Sequence, residues 1–173
     1  MRNKWAMRSI PVTVLFVVYL YILTKIILFK FGHVDLMFLL RQANWAIHDM
    51  SRLHYRLDMA NLTPFRTIAE NLRSHSVYEY IQLYGNIGLF IPFGIFVPYL
   101  TRGTKLDTWT YGLVFILSFA LCLLLECTQL VCSIGMFDVD DLILNTAGGM
   151  VGCVLFHLIV RVTSPGKTAA AAR

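Results

Sequence analysis

Apolar residues dominate four stretches of the chain, residues 10–29, 80–100, 111–131 and 142–162. As helices, each is long enough to cross about 30 Å of hydrocarbon. The second stretch is interrupted by Gly85, Gly88, Pro92 and Gly94. A transmembrane helix tolerates such residues where neighbouring helices re-satisfy the freed backbone groups. In the long connection of residues 30–79, Leu36, Leu40, Ala43, Ile47 and Met50 recur at steps of four and three, with Arg41, Trp45, His48 and Arg52 on the opposite side. That spacing predicts an amphipathic helix. Its basic, aromatic character suits the headgroup layer, and capping the bundle with a solvated face satisfies the same periodicity. Asn61-Leu-Thr-Pro-Phe65 then reads as a break and restart, with Thr63 as N-cap and Pro64 at the first helical position. The expected fold is an all-α integral membrane protein. A single domain over residues 1–173 forms a bundle of about four transmembrane helices, joined by an outer interfacial amphipathic helix.

Composition narrows the class. The chain is 57% hydrophobic and only 14% charged, below the quarter expected of a soluble domain. Its net charge of +5 comes from lysines and arginines scattered between apolar runs, never in a block, so nucleic acid is not an expected partner. The basic residues fit membrane topology. Arg2, Lys4 and Arg8 precede the first span, Arg102 and Lys105 join the second and third, and Arg161, Lys167 and Arg173 follow the fourth. The positive-inside rule places these ends, and hence both termini, in the cytoplasm. The segment 30–79 and the turn 132–141, which has no lysine or arginine, then fall outside. Lys25 and Lys30 would reach towards that outer surface. The basic start and apolar run from Ile10 resemble a signal peptide, but no A-x-A site follows, so an uncleaved first span is expected. Cys122, Cys127, Cys132 and Cys153 sit in or beside apolar runs as small hydrophobes, not as a disulfide framework.

The candidate chemistry lies in polar residues where lipid-facing ones are expected. Ser118, Cys122, Glu126, Gln129 and Ser133 form a stripe along the third span. Asp141, Asn145, Gly148 and Gly152 form one on the fourth, and Glu79, Gln82 and Asn86 open the second. A carboxylate inside a span usually faces the protein interior and marks a site. Glu126 and Asp141 are therefore the candidate catalytic residues, and Asn86, Gln129 and Asn145 candidate ligand-binding ones. Glu126 would act either as a neutral hydrogen-bond donor or as a proton-exchanging base. Asparagine and glutamine also simply glue helices together, and Gly148 and Gly152 are a close-packing pair. Asp138, Asp140 and Asp141 are candidate oxygen ligands for Mg²⁺ or Ca²⁺, although an exposed turn also accommodates solvated or helix-capping aspartates. The five histidines follow no zinc spacing, and no phosphate loop, nucleophile elbow or H-E-x-x-H motif occurs. Neither a cofactor nor a reaction class can be read from these motifs.

In order along the chain stand Asn61-Leu-Thr-Pro-Phe65, Asn86-Ile-Gly-Leu-Phe-Ile-Pro-Phe-Gly94, Glu126-Cys-Thr-Gln129, Phe137-Asp-Val-Asp-Asp141 and Asn145-Thr-Ala-Gly148. Together they resemble the VanZ-like family over about residues 30–162, with Thr63 where an aliphatic residue is common. The resemblance implies a multi-pass protein of the bacterial cytoplasmic membrane. For the family's namesake it implies reduced susceptibility to the glycopeptide antibiotic teicoplanin.

Three functions fit these residues. One binds or modifies an envelope lipid, a lipid-linked envelope molecule or a lipoglycopeptide at the outer leaflet, with Arg41, Arg52 and Arg56 meeting anionic groups. The second is an intramembrane enzyme acting on a lipid-linked substrate, with Glu126 as base and the aspartates holding a metal. The third is a small proton-coupled transporter in which Glu126 carries the proton.

Overall fold

A computed structural model describes residues 2–29, 35–74, 76–101 and 108–163. Lys30, His33, His75, Arg102, Lys105, Lys167 and Arg173 lie outside them. The described residues form α1 (Arg2–Phe29), α2 (Leu36–His48), α3 (Met50–Asp58), α4 (Arg66–Ser74), α5 (Val77–Leu100), α6 (Thr108–Val131) and α7 (Val139–Thr163), with no strand longer than an isolated bridge. Four segments are long and apolar enough to cross a membrane: Ile10–Phe29, Val77–Leu100, Thr108–Val131 and Val139–Thr163. They reproduce the four stretches read from hydropathy and lengthen three of them by up to a turn at the start.

The long helices alternate in direction. Gln129 near the end of α6 donates to the carbonyl of Ile27 near the end of α1 at 2.8 Å, and Asn86 in the first half of α5 donates to Asp141 in the first turn of α7. One end of the bundle therefore gathers the C-termini of α1 and α6 and the N-termini of α5 and α7. The 132–138 turn closes that end, which α3 and α4 also meet. We call it the turn end.

α5 and α7 pack closest because their facing residues lack side chains. A Cβ on Gly148 would strike the Ile87 carbonyl, one on Gly152 the Ile91 carbonyl, and one on Gly94 the Gly149 carbonyl. The Gly148–Gly152 pair thus has the packing role its spacing predicts. α6 meets α7 through Ser118, which sits against Gly149. α1 joins the bundle through rings: Phe16 packs on Phe93 and Phe96 with centroids 5.9 and 5.3 Å apart, and the Tyr19 hydroxyl donates to the Leu89 carbonyl at 2.6 Å. Its other side, including Val14, Val17 and Tyr21, is exposed as a lipid-facing surface would be. Three of the four cysteines are buried, all four are free thiols, and Cys127 is exposed.

The amphipathic segment departs from one continuous helix. Asp49 (φ −126°, ψ 84°) ends α2 and starts α3, its carboxylate accepting from the Ser51 N–H at 3.2 Å. An aspartate competes for backbone donors in this way, so the helical period running through it is cut into two short helices. Leu36, Leu40 and Met50, on the apolar face, are more than half exposed, so the bundle does not cover them. The restart after Asn61 also lies further on. Pro64 is in a turn and α4 begins at Arg66, so Thr63 and Pro64 are not its N-cap and first helical residue.

Candidate functional site: a polar cavity at the turn end

The inward stripe of α6 is as buried as its spacing predicts, with Ser118, Cys122 and Glu126 no more than 1% exposed and Gln129 8%. Across from it, α7 presents Asp141 and Asn145 one turn apart, and the Asn145 amide donates to the Cys122 sulfur at 3.0 Å. That bond fixes the register of the two helices. It places the pair Asp141 and Asn145 opposite the pair Cys122 and Glu126, and the Cys122 thiol donates to the Asp141 carbonyl at 3.6 Å. α5 completes the layer with Asn86, bonded to the Asp141 carboxylate.

These residues line a cavity of about 920 Å³ that opens at the turn end. Asn86, Glu126, Gln129, Asp138, Asp141 and Asn145 all contribute to its wall. Apolar wall comes from Ile26, Ile27 and Leu89, and the mouth carries Arg56, Arg66 and Glu70 from α3 and α4. The volume suits a small ligand or a lipid headgroup.

The loops around the mouth are pinned from both sides. Backbone bonds run from the Asn61 N–H to the Phe137 carbonyl and from the Val139 N–H to the Asn61 carbonyl, each at 2.9 Å. The Asp138 carboxylate accepts from the Asn61 amide at 2.8 Å and the Thr67 hydroxyl at 2.6 Å. Its backbone N–H donates to Glu126 at 3.1 Å, tying the loop to the membrane carboxylate. Asp140, fully buried, accepts from the backbone N–H groups of Phe65 and Ile68. It satisfies the orphan donors at the start of α4 that local residues leave open.

Each aspartate proposed as a metal ligand thus has different partners: Asp138 holds Asn61 and Thr67, Asp140 holds α4, and Asp141 holds Asn86. Among the described residues no three His, Cys, Asp or Glu side chains are grouped to hold a metal ion. The arginines do not converge either. Arg56 lines the cavity, but its guanidinium donates to the carbonyls of Leu130, at 3.1 Å, and Gly135, closing the C-terminal end of α6. Arg52 pairs with Asp49 at 3.3 Å and stacks over Trp45, while Arg41 is exposed and apart from the cavity.

Sequence reasoning missed Asn61 and Thr67 as partners of Asp138, and Cys122 as the acceptor that registers α6 on α7. The first pair is separated from Asp138 by some seventy residues, beyond any helical period. Cys122 lies in the polar stripe, but in an apolar run its residue type reads as a small hydrophobe.

The family model for VanZ/LLP1 matches residues 16–160. Protein VanZ of Enterococcus faecium is 32% identical over 110 residues, covering 63% of this chain and 59% of that protein. The chain therefore aligns with somewhat less than two thirds of its relative's length. No solved structure matches the chain significantly.

Proposed function

The chain belongs to the VanZ/LLP1 family, and from that premise we propose that it lowers susceptibility to teicoplanin by binding or modifying an envelope lipid or lipopeptide at the outer leaflet. The observation that carries this reading is the cavity at the turn end, with a polar layer built from three helices and apolar wall from α1 and α5. A headgroup fits polar residues and an acyl chain fits apolar ones, so such a wall suits an amphiphile better than a solute or a bare ion. The arginine and lysine bias of the sequence supports an orientation with the turn end on the outer side of the cytoplasmic membrane and both termini in the cytoplasm. In that orientation the exposed apolar residues of α2 and α3 lie at headgroup level, beside the cavity mouth.

Expression in a susceptible Gram-positive host tests the reading. Sensitivity to teicoplanin falls more than sensitivity to vancomycin, because only the former carries a membrane-seeking acyl chain. Equal sensitivity with and without well-expressed protein would remove the resistance function.

A further inference from the structure

On the reading that the cavity holds an envelope amphiphile, we infer that the cleft between α1 and α5 is its acyl-chain subsite, holding the chain of an outer-leaflet lipid whose head lies in the polar cavity. The inference deepens that reading by assigning the ligand to the membrane itself and giving it a lateral way in.

One face of α5 carries the inference. Tyr78, Gln82, Gly85, Leu89, Phe93 and Phe96 recur at steps of four and three and so share that face. Away from the turn end α1 covers it: Phe16 packs on Phe93 and Phe96, and the Tyr19 hydroxyl donates to the Leu89 carbonyl. Towards the turn end the same face becomes cavity wall, through Leu89, Gln82 and Tyr78. α1 has left it there. The last turn of α1 is tied instead to α6, by the bond from Gln129 to the Ile27 carbonyl. Beyond Tyr19 the two helices therefore diverge, and Ile26 and Ile27 of α1 form the opposite wall. An added methyl at Gly85 meets nothing within 4 Å among the described residues, as the space between diverging helices requires.

The cleft opens sideways. Ile81 and Tyr78 line the cavity and are nevertheless 66% and 70% exposed, so the wall continues onto the outside of the bundle. Ile81 belongs to a helix long and apolar enough to span the membrane, and the medium on its outer side is hydrocarbon. From Leu89 to the start of α5 at Val77 the cleft rises about 18 Å, a little over half of a hydrocarbon core of about 30 Å. That is close to the depth of one leaflet. A chain in the cleft makes dispersion contacts with Ile26, Ile27, Ile81 and Leu89 that an empty slot leaves unmade. Asn86, on the neighbouring face of α5, turns instead towards α7, so the polar layer stands across the cavity from the apolar wall. A soluble ligand uses the polar layer alone; a lipid uses both sides.

The test uses the full chain with Trp5, Trp45 and Trp109 changed to phenylalanine and one tryptophan returned, as Leu89→Trp, Val17→Trp or Phe90→Trp. Each is compared in vesicles of dioleoyl-phosphatidylglycerol and of the same lipid brominated midway along its chains, where bromine quenches tryptophan on contact. Val17 is 59% exposed and reports the lipid surface, and Phe90 is fully buried and reports the core. Leu89→Trp is quenched nearly as strongly as Val17→Trp and several-fold more than Phe90→Trp. Ile27→Trp, on the facing wall, gives the same result and serves if Leu89→Trp does not accumulate. Adding Gly85→Phe fills the cleft and removes most of the Leu89→Trp quenching while leaving that of Val17→Trp; Gly112→Phe, equally unobstructed but on α6, leaves both. Quenching of Leu89→Trp and Ile27→Trp no greater than that of Phe90→Trp, or unchanged by Gly85→Phe, would overturn the chain subsite. Native mass spectrometry of the detergent-purified parent then separates the two readings: a retained lipid would leave the amphiphile reading standing without this cleft, and no retained lipid would overturn both.

Discussion

The Asp140 carboxylate accepts a hydrogen bond from the Phe65 backbone N–H at 2.5 Å, so the second residue of α7 caps a helix whose start lies 72 to 75 residues earlier in the chain. Phe65 adopts φ 66°, a left-handed conformation that a bulky residue rarely takes. It turns its N–H towards Asp140, and the second oxygen takes the Ile68 N–H at 3.1 Å. Loss of a cap costs about 0.5–2 kcal/mol, and hydrogen bonds to a charged group cost more when broken in a buried site. Asp140→Ala is therefore expected to destabilise the protein by about 2 kcal/mol or more, with Asp140→Asn intermediate because it keeps one acceptor. Thermal unfolding in detergent reads the loss, and tryptic cleavage after Arg66 should quicken. Unchanged stability and cleavage in Asp140→Ala would show that α4 holds itself.

Close packing of α5 on α7 gives a second set of expectations. Gly152→Ala drives a methyl group into the Ile91 carbonyl, and Gly148→Ala does so at Ile87; in both the obstacle is backbone, which cannot swing aside. Overpacking of this kind costs about 1–3 kcal/mol. Gly88, in the same helix as Gly94, has nothing within 4 Å of where an added methyl would sit, so Gly88→Ala should be neutral or stabilising by up to about 1 kcal/mol through helix propensity. Comparing melting temperatures of the three variants checks the contrast. Equal effects at Gly88 and Gly152 would mean that the helices are not held at this separation.

What the chain discloses by itself follows from the range of each signal. The spans and the inward stripe of α6 were legible because hydropathy and the helical period act over single helices, and Glu126 stands out against leucines. The polar edges carrying Asn86 on α5 and Asp141 and Asn145 on α7 were legible too, from the same helical period. Asp140 was not legible as a cap, since in sequence it is one of three similar aspartates and only the path of the 59–65 loop separates its task from those of Asp138 and Asp141. Arg52 and Arg56 were both expected to meet anionic groups, but the break at Asp49 and the reach of Arg56 to the end of α6 send them to different partners.

Orientation in the membrane is open to direct measurement. Ser51, in α3 at the turn end, is exposed, and Thr104 stands in sequence between α5 and α6, outside the described residues. In a background with Cys127→Ser, which removes the exposed native thiol, a cysteine at Ser51 should react with an impermeant reagent in intact cells. One at Thr104 should not. The reverse pattern would put the cavity on the cytoplasmic side and end the proposal of an outer-leaflet ligand.

The carboxyl groups of the floor can be removed without changing its shape. Glu126→Gln and Asp141→Asn keep side-chain size, and Gln retains an oxygen able to accept from the Asp138 N–H, as Glu126 does at 3.1 Å. Membrane insertion should be no harder for either and easier for Glu126→Gln, since an ionisable group within a span is costly to place in lipid. If the floor holds a cation or exchanges a proton, the teicoplanin phenotype should nevertheless fall by about tenfold or more at normal membrane abundance. Leu124, 63% exposed on the opposite side of α6, is the appropriate control, whereas Leu125 is buried at 4% and would disturb packing. Leu124→Ala should leave the phenotype near that of the parent. Dose response and membrane abundance measured together separate chemistry from folding: low activity with normal abundance places the negative charge in the function. Full activity of Glu126→Gln at that abundance would return Glu126 to a packing role, with its bond to the Asp138 N–H as its whole contribution.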